Sequence, residues 1–226
     1  MNKNIPEILK KNLPEHPGIH GRNNYLNAAV LVPLVDIDGE YHFLFEKRAE
    51  GIRQEKEVCF PGGKYSPKND KTRLDTAIRE TVEELGIPAD RIFPLGQMDS
   101  LIAPVLGGII DPFVAEVKIK GTEELVLQKD EVEKAFLVPV SWFQNNPPEI
   151  YHVRIEAHPR IKKEDGDIET LLPSMELGLP DSYSKPWVGR KHRVLVYRVA
   201  GELVWGLTAE MVNEVVNMLA LDRNNT

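Results

Sequence analysis

The chain has 226 residues, 42% hydrophobic and 28% charged, the balance of a soluble globular protein with a sizeable core. Asp and Glu number 35 against 28 Lys and Arg, a formal net charge of -7 that argues against general nucleic-acid or membrane-surface binding. With one cysteine, Cys59, there is no internal disulfide, and no run approaches the ~20 apolar residues of a membrane span.

The N-terminus lacks the apolar core of a secretory signal, and "LDRNNT" at the C-terminus is not a peroxisomal address of the S-K-L type. A cytoplasmic setting is expected. Residues 4–13 suit a short helix, and a Pro/Gly/Asn-rich stretch follows to about residue 25. A lead-in segment, 1–26, is therefore expected ahead of one domain, 27–226. "NAAVLVPLVD" (27–36) reads as a buried strand, "DG" at 38–39 as a hairpin turn, and "YHFLFEKR" (41–48) as the return strand. "EVCF" (57–60) is a short strand that stops at "PGGK", and its alternation makes Cys59 a buried small hydrophobe. A polar loop, 64–71, leads to a helix over 72–85 that ends on Gly86 and Pro88.

Beyond it, 91–102 and 110–118 are strand-like, and 129–143 reads as loop, strand and short helix. "EIYHVRIEA" (149–157) is another strand, and 158–189 is expected to wander over the surface. "HRVLVYRVAGELVWG" predicts a hairpin, and "LTAEMVNEVVNMLAL" a closing amphipathic helix with Thr208 as N-cap. The mixture, without regular alternation of strand and helix, implies an α+β or layered α/β/α domain.

The stretch "RETVEELGI" (79–87) carries the chemistry. On a helical wheel Leu74, Ile78, Val82 and Leu85 fall within roughly 80°, a core-facing stripe. Glu80, Glu83 and Glu84 gather within about 100° on the other side. Only Arg79 is near enough in sequence to neutralise any of them, and like charges at this spacing repel. For an arbitrary helix, a solvated acidic face is the commoner meaning. Here no lysines are interleaved, and "FPGGK" lies just upstream. Three carboxylates on one side suit Mg2+ or Mn2+, and a backbone carbonyl of the Pro61-Gly62-Gly63 turn is a further donor. Magnesium completes its shell with water and substrate phosphate, so the motif points to phosphate chemistry.

These residues resemble the Nudix box, G-x5-E-x7-R-E-U-x-E-E-x-G-U, where U is aliphatic. The match runs from Arg79 to Ile87, with Thr81 at the first aliphatic position. Fifteen residues separate Gly63 from Arg79, two more than in the pattern, so the early glutamate falls at Asn69 or Lys71 depending on the end counted from. In the family that glutamate pairs with the arginine; Asp70 or Asp75 is the expected replacement. The resemblance implies a Nudix-like α/β/α sandwich with a mixed central sheet, and a metal set of Glu80, Glu83, Glu84 and Gly63. Arg79 is implied as a catalytic residue that steadies the loop, and Glu80, Glu83 or Glu131 as the base.

Over most of 27–220 the chain is similar to the coenzyme A pyrophosphatase branch, whose signature is L-L-T-x-R-(S/A)-x3-R-x3-G-x-V-x-F-P-G-G-x. Arg48, Ala49, Arg53, Val58 and Phe60 to Gly63 match; between Arg53 and Val58 the chain is one residue short, with "QEKE" in place of the signature's His and Gly. Lys47, Arg48, Arg53 and Lys56 are candidates for holding the 3'-phosphate of coenzyme A by charge-assisted hydrogen bonds. Taken singly, each reads as a solvated basic turn residue. The basic run "GRKHR" (189–193) reads as surface, and His152 and His158 flank a polar loop without metal-ligand spacing.

The implied reaction is Mg2+- or Mn2+-dependent cleavage of coenzyme A to 4'-phosphopantetheine and adenosine 3',5'-bisphosphate. Alternatives are another small nucleotide such as ADP-ribose or a dinucleotide, a nucleotide sensor without activity, or a structural domain with an acidic helix. The expected partner is a small-molecule nucleotide, with no nucleic acid and no membrane. The sequence leaves a homodimer open.

Overall fold

In the computed structural model residues 4–15 and 18–223 are described, the last three as backbone only, so part of the expected lead-in lies outside the described residues. Helix α1 (Ile5–Asn12) buries none of its residues. Strand β1 (Leu26–Ile37) starts one residue earlier than expected. Asp38 and Gly39 both take left-handed backbone (φ 51 and 88), which a two-residue hairpin requires, and lead into β2 (Glu40–Arg48). The short strands β3 (Val58–Cys59) and β4 (Gly62–Lys64) bracket Phe60 and Pro61.

Helix α2 (Arg73–Leu85) follows, capped by Thr72 and closed by Gly86 at φ 67. A Cβ on Gly86 would meet Val126 at 2.7 Å, so glycine is required there for space as well as for φ. The expected run 91–102 is two strands, β5 (Ile92–Gln97) and β6 (Leu101–Ala103), separated where Ser100 turns its hydroxyl onto Asp111. Then come β7 (Gly108–Val117), β8 (Val132–Pro139), α3 (Val140–Asn145) and β9 (Glu149–Ala157).

The segment 158–189 is more ordered than expected. It holds the small hairpin of β10 (Arg160–Lys162) and β11 (Ile168–Thr170), and β12 (Trp187–Val199) begins inside it. After β13 (Glu202–Trp205), α4 (Gly206–Arg223) starts two residues before Thr208. Gly206, at φ 60, lets the chain pass directly from strand to helix, so Thr208 is not the N-cap; its buried hydroxyl donates to the Val58 carbonyl at 3.3 Å.

The fold is a mixed sheet between helices. Strand β1 is central, parallel to β7 from Leu26 to Leu34 and antiparallel to β2 at its C-terminal end, Leu34 to Ile37. On the same edge, Ala28 to Val30 pair with β4, and β8 extends the sheet beyond β2. Alternate side chains serve two cores. Val32, Phe43 and Phe45 face α4 and the second sheet, β13-β12-β9, while Leu31, Val35 and Leu44 face α2. On the α4 side, the rings of Phe45 and Phe60 stack at 4.9 Å, and Phe143 meets Tyr197 edge-on at 5.0 Å. The α/β/α expectation holds, with a three-stranded sheet added on the α4 side.

Candidate active site

The approach to α2 is fixed by two separate aspartates. Thr72 and Asp75 form a reciprocal capping box, each accepting from the other's backbone N–H, at 3.2 and 2.7 Å. Asp75 is thereby engaged at the helix start. Asp70, only 4% exposed, instead receives Arg79 Nε on Oδ1 at 2.9 Å and Nη2 on Oδ2 at 3.1 Å. The Thr76 hydroxyl and Ser66 N–H also donate to Oδ2, at 2.8 and 3.1 Å. With the Arg79 hydrogen bond as the largest cause, the Asp70 carboxyl is held down to about 2. Of the two aspartates expected to replace the early glutamate, Asp70 makes the arginine contact.

The three glutamates do not form a solvated face. Glu84 is 2% exposed and accepts the Gly62 N–H at 2.9 Å, Glu80 is part-buried, and Glu83 stands half in solvent. Arg79 Nη1 lies 2.8 Å from Glu80 and 3.0 Å from Glu83, so one guanidinium serves two glutamates and Asp70. Burial, then the charge of Glu46, pushes the Glu84 carboxyl well above its usual range, and burial also raises Glu80 against the pull of Arg79. Thr81 is fully buried at the box's first aliphatic position; its hydroxyl donates to the Ala77 carbonyl at 2.7 Å, which satisfies the polar group within the helix.

The glycine turn is shaped by close approach. A Cβ on Gly62 would lie 2.5 Å from the Ala29 carbonyl oxygen, and one on Gly63 would lie 2.4 Å from the Glu80 carboxyl carbon. Gly62 needs to be glycine because its nearest neighbours are backbone atoms of β1, whereas at Gly63 the close neighbour is the movable end of the Glu80 side chain. Glu131, from the loop before β8, lies near enough to raise both Glu80 and Glu84 electrostatically. Its backbone carbonyl accepts the Ala49 N–H at 2.9 Å, and its side chain accepts from Gln128 at 3.1 Å.

A further carboxylate, not singled out in the sequence, joins them. Glu46 on β2 is fully buried; the Cys59 thiol donates to its Oε1 at 3.4 Å, and Oε2 has no hydrogen-bond partner among the described residues. Burial raises its carboxyl, the Cys59 hydrogen bond and Arg48 opposing. Cys59 is half-buried and not purely apolar in its contacts; burial, then Glu46, pushes its thiol up. The available signal was strand alternation, which puts Glu46 on the face of Leu44, toward α2.

As the side chains stand, no group of three Asp, Glu, His or Cys among the described residues is disposed to hold a metal ion. Glu80 and Glu83 both lean on Arg79, and ligation requires them to turn from it. The donor chemistry nevertheless suits a hard divalent cation. It is all oxygen, includes the unpartnered buried Glu46 Oε2, and lies against a glycine turn in which Gly62 has no room for a side chain.

The four basic candidates separate into two pairs. Lys47 and Lys56, with Lys129, Ala49, Glu50, Val132 and Glu133, line an open cleft of about 610 Å³ beside the Glu131 loop. Within it Lys47 is partnered by Glu202 at 3.1 Å and Glu133 at 3.8 Å, and Lys56 by the exposed Glu50. Arg48 gives its Nε to the Arg53 carbonyl at 3.1 Å, and Arg53 itself is exposed. Lys56 stands in left-handed backbone (φ 62), and counted back from Val58 it takes the place of the signature's glycine. A second hollow of about 400 Å³, on β9 and β12 around Trp187, contains none of these residues.

A buried anchor missed in the sequence lies at the start of α2. Asp111 of β7 is fully buried and paired with Arg22 of the lead-in. Arg73 Nε lies 2.9 Å from it but is misaligned for a hydrogen bond. No helix among the described residues is long and apolar enough to cross a membrane.

A family model described as the NUDIX domain matches residues 25–160. Nudix hydrolase 3 of Caenorhabditis elegans is 28% identical over 97% of this chain and 87% of its own. Peroxisomal coenzyme A diphosphatase NUDT7 of Mus musculus is 32% identical over 66% of this chain and 65% of its own. Among solved structures, a MutT/nudix family protein from Enterococcus faecalis aligns with 94% of this chain and 66% of its own at 14% identity and a TM-score of 0.44. A C. elegans Ap4A hydrolase aligns with 53% of this chain and 84% of its own at 19% identity and a TM-score of 0.43.

Proposed function

We propose a substrate for this chain, which belongs to the Nudix family of pyrophosphohydrolases: coenzyme A or a derivative, cleaved to 4'-phosphopantetheine and adenosine 3',5'-bisphosphate. The observation that carries the reaction is the placing of Glu84, through the Gly62 N–H, and of Glu80, against Gly63, at the glycine turn, with Glu46 and Glu131 near enough to raise Glu84. Nudix hydrolases use divalent metal ions, and Glu80, Glu83, Glu84 and the Gly63 carbonyl are the groups we assign to Mg2+ or Mn2+. Bound there, the cation offsets diphosphate charge and lowers the pKa of the attacking water.

The protein's own groups do the rest. A carboxylate, Glu80, Glu83 or Glu131, takes the proton of the water as it adds to phosphorus and the P–O bridge breaks. Arg79, held by Asp70, fixes the loop that carries the glycine turn. It thereby positions the carbonyl and the glutamates together.

Support for coenzyme A comes from Arg48, Ala49, Arg53 and Phe60 to Gly63, and from the similarity to a coenzyme A diphosphatase. Lys47 and Lys56 line a cleft beside Glu131, where a phosphate remote from the scissile bond has room. The test is to incubate the purified chain and Mg2+ or Mn2+ with coenzyme A, its 3'-dephosphorylated form and ADP-ribose, identifying products by mass. Coenzyme A is expected to have the highest kcat/KM. Equal rates on the first two, or a preference for ADP-ribose, removes the substrate reading and leaves the family reaction.

A further inference from the structure

We propose that Glu46 supplies a fourth carboxylate to the divalent-cation site, reaching it from strand β2 on the side opposite α2. This rests on the metal-dependent reading above and extends it to a residue outside the Nudix box. In the coenzyme A signature, L-L-T-x-R, Glu46 stands where the pattern has threonine.

Glu46 is fully buried, in register with Cys59 of β3 and Ala135 of β8. Its neighbour on the same face, Leu44, packs in the apolar core beneath α2. A hydrophobic residue would fill position 46 with no polar penalty. A carboxylate there has two oxygens to satisfy, and the protein satisfies one of them weakly, through a thiol at 3.4 Å. The other, Oε2, is buried and unpartnered among the described residues. The cation with the largest influence on it is Arg48, whose Nε is given to the Arg53 carbonyl.

The charge of Glu46 raises the carboxyl of Glu84, which is also buried and accepts one backbone N–H. Glu80 and Glu131 lie within reach of both. Four carboxylates from β2, α2 and the loop before β8 thus act on one another, and of these Glu80 has Arg79 at 2.8 Å while the buried pair Glu46 and Glu84 has no ion-pair partner among the described residues. A divalent cation is the partner whose charge and oxygen preference match that deficit. The Cys59 thiol, by occupying Oε1, leaves Oε2 as the oxygen free to ligate.

The test measures metal directly. Glu46→Gln, Glu46→Thr and, for reference, Glu84→Gln are titrated with Mn2+ by calorimetry and by loss of the free Mn2+ electron-spin signal, without substrate. Glu46→Gln is expected to raise the Kd for Mn2+ by about 10–100-fold, the range seen when groups supporting a site are lost, or by more. Its melting temperature in EDTA should stay at or above the wild-type value. Glu46→Thr, the signature's residue, carries the same expectation if the glutamine variant folds poorly. Wild-type Kd in the folded Glu46 variants, with Glu84→Gln impaired, overturns this proposal and spares the metal-dependent reading. No Mn2+ binding by the wild-type chain overturns both.

Discussion

Arg79 grips Asp70 with two nitrogens, Nε to Oδ1 at 2.9 Å and Nη2 to Oδ2 at 3.1 Å, across the loop that joins the glycine turn to α2. The contact is mostly buried and fork-like, so it resists screening better than a surface pair. A double-mutant cycle should find Arg79 coupled to Asp70 by about 1.5–3 kcal/mol. Coupling to Asp75 should be near zero, because Asp75 is held by Thr72. Urea unfolding of the single and double variants measures both, and equal coupling to the two aspartates contradicts the arrangement.

The same contact has a pH signature. The Asp70 carboxyl is depressed from 3.8 to about 2, so its contribution is complete above the unfolded value and disappears as pH falls from about 4 toward 2. The loss is on the order of 2 kcal/mol at the acid end. Asp70→Asn should flatten stability over that window relative to wild type. An unchanged slope removes the assignment.

Glu84 behaves in the opposite sense. Its folded-state carboxyl is raised, so stability is fullest below the unfolded value near 4.5 and falls as pH rises toward the raised folded value. Glu84→Gln should therefore raise metal-free stability above neutral pH by about 0.5–2 kcal/mol while lowering turnover by orders of magnitude. Mn2+ should stabilise wild type more at pH 8 than at pH 6, and the variant little at either. Melts with and without EDTA, run beside rate assays, measure all three; normal activity in Glu84→Gln removes it from the metal set.

Asp111 joins the lead-in to the domain through Arg22 and lies beside Arg73 at the first turn of α2. Asp111→Ala should cost about 3–5 kcal/mol, because it leaves partly buried guanidinium charge uncompensated. Arg22→Ala should cost less, since Ser100 and Gln97 still donate to the carboxylate. Denaturant midpoints rank the two variants. A near-neutral Asp111→Ala contradicts an anchoring role.

The basic residues should not contribute alike. Lys47 is already neutralised by Glu202 and Glu133, whereas Arg53 is exposed. Arg53→Ala should lower kcat/KM for coenzyme A roughly ten- to a hundredfold, leaving the 3'-dephosphorylated form nearly unaffected. Lys47→Ala should lower stability more than discrimination between the two. Steady-state kinetics on both substrates, with melts, decides; equal losses on the two substrates in Arg53→Ala mean that it does not read the 3'-phosphate.

Residue order alone determined the local pieces. The apolar run at 27–36 and the Asp38-Gly39 turn gave the β1–β2 hairpin, and helical spacing with Gly86 gave α2 and its end, because these depend on near neighbours and backbone preference. The spacing from Arg79 to Ile87 identified the family, since a helix brings Glu80, Glu83, Glu84 and Arg79 together wherever it packs. Tertiary structure decided the rest. Asp70 and Asp75 are equivalent by count, and only the loop's path and the Thr72 cap separate them. A helical wheel places Glu84 on the face away from the core stripe, but β4 lies over it and supplies the Gly62 N–H, so it is buried. Glu46 and Asp111 are unremarkable letters in strand sequences. Pairing of β2 with β3 and of β1 with β7 carries each to α2, and the contacts that define them come from segments far apart along the chain.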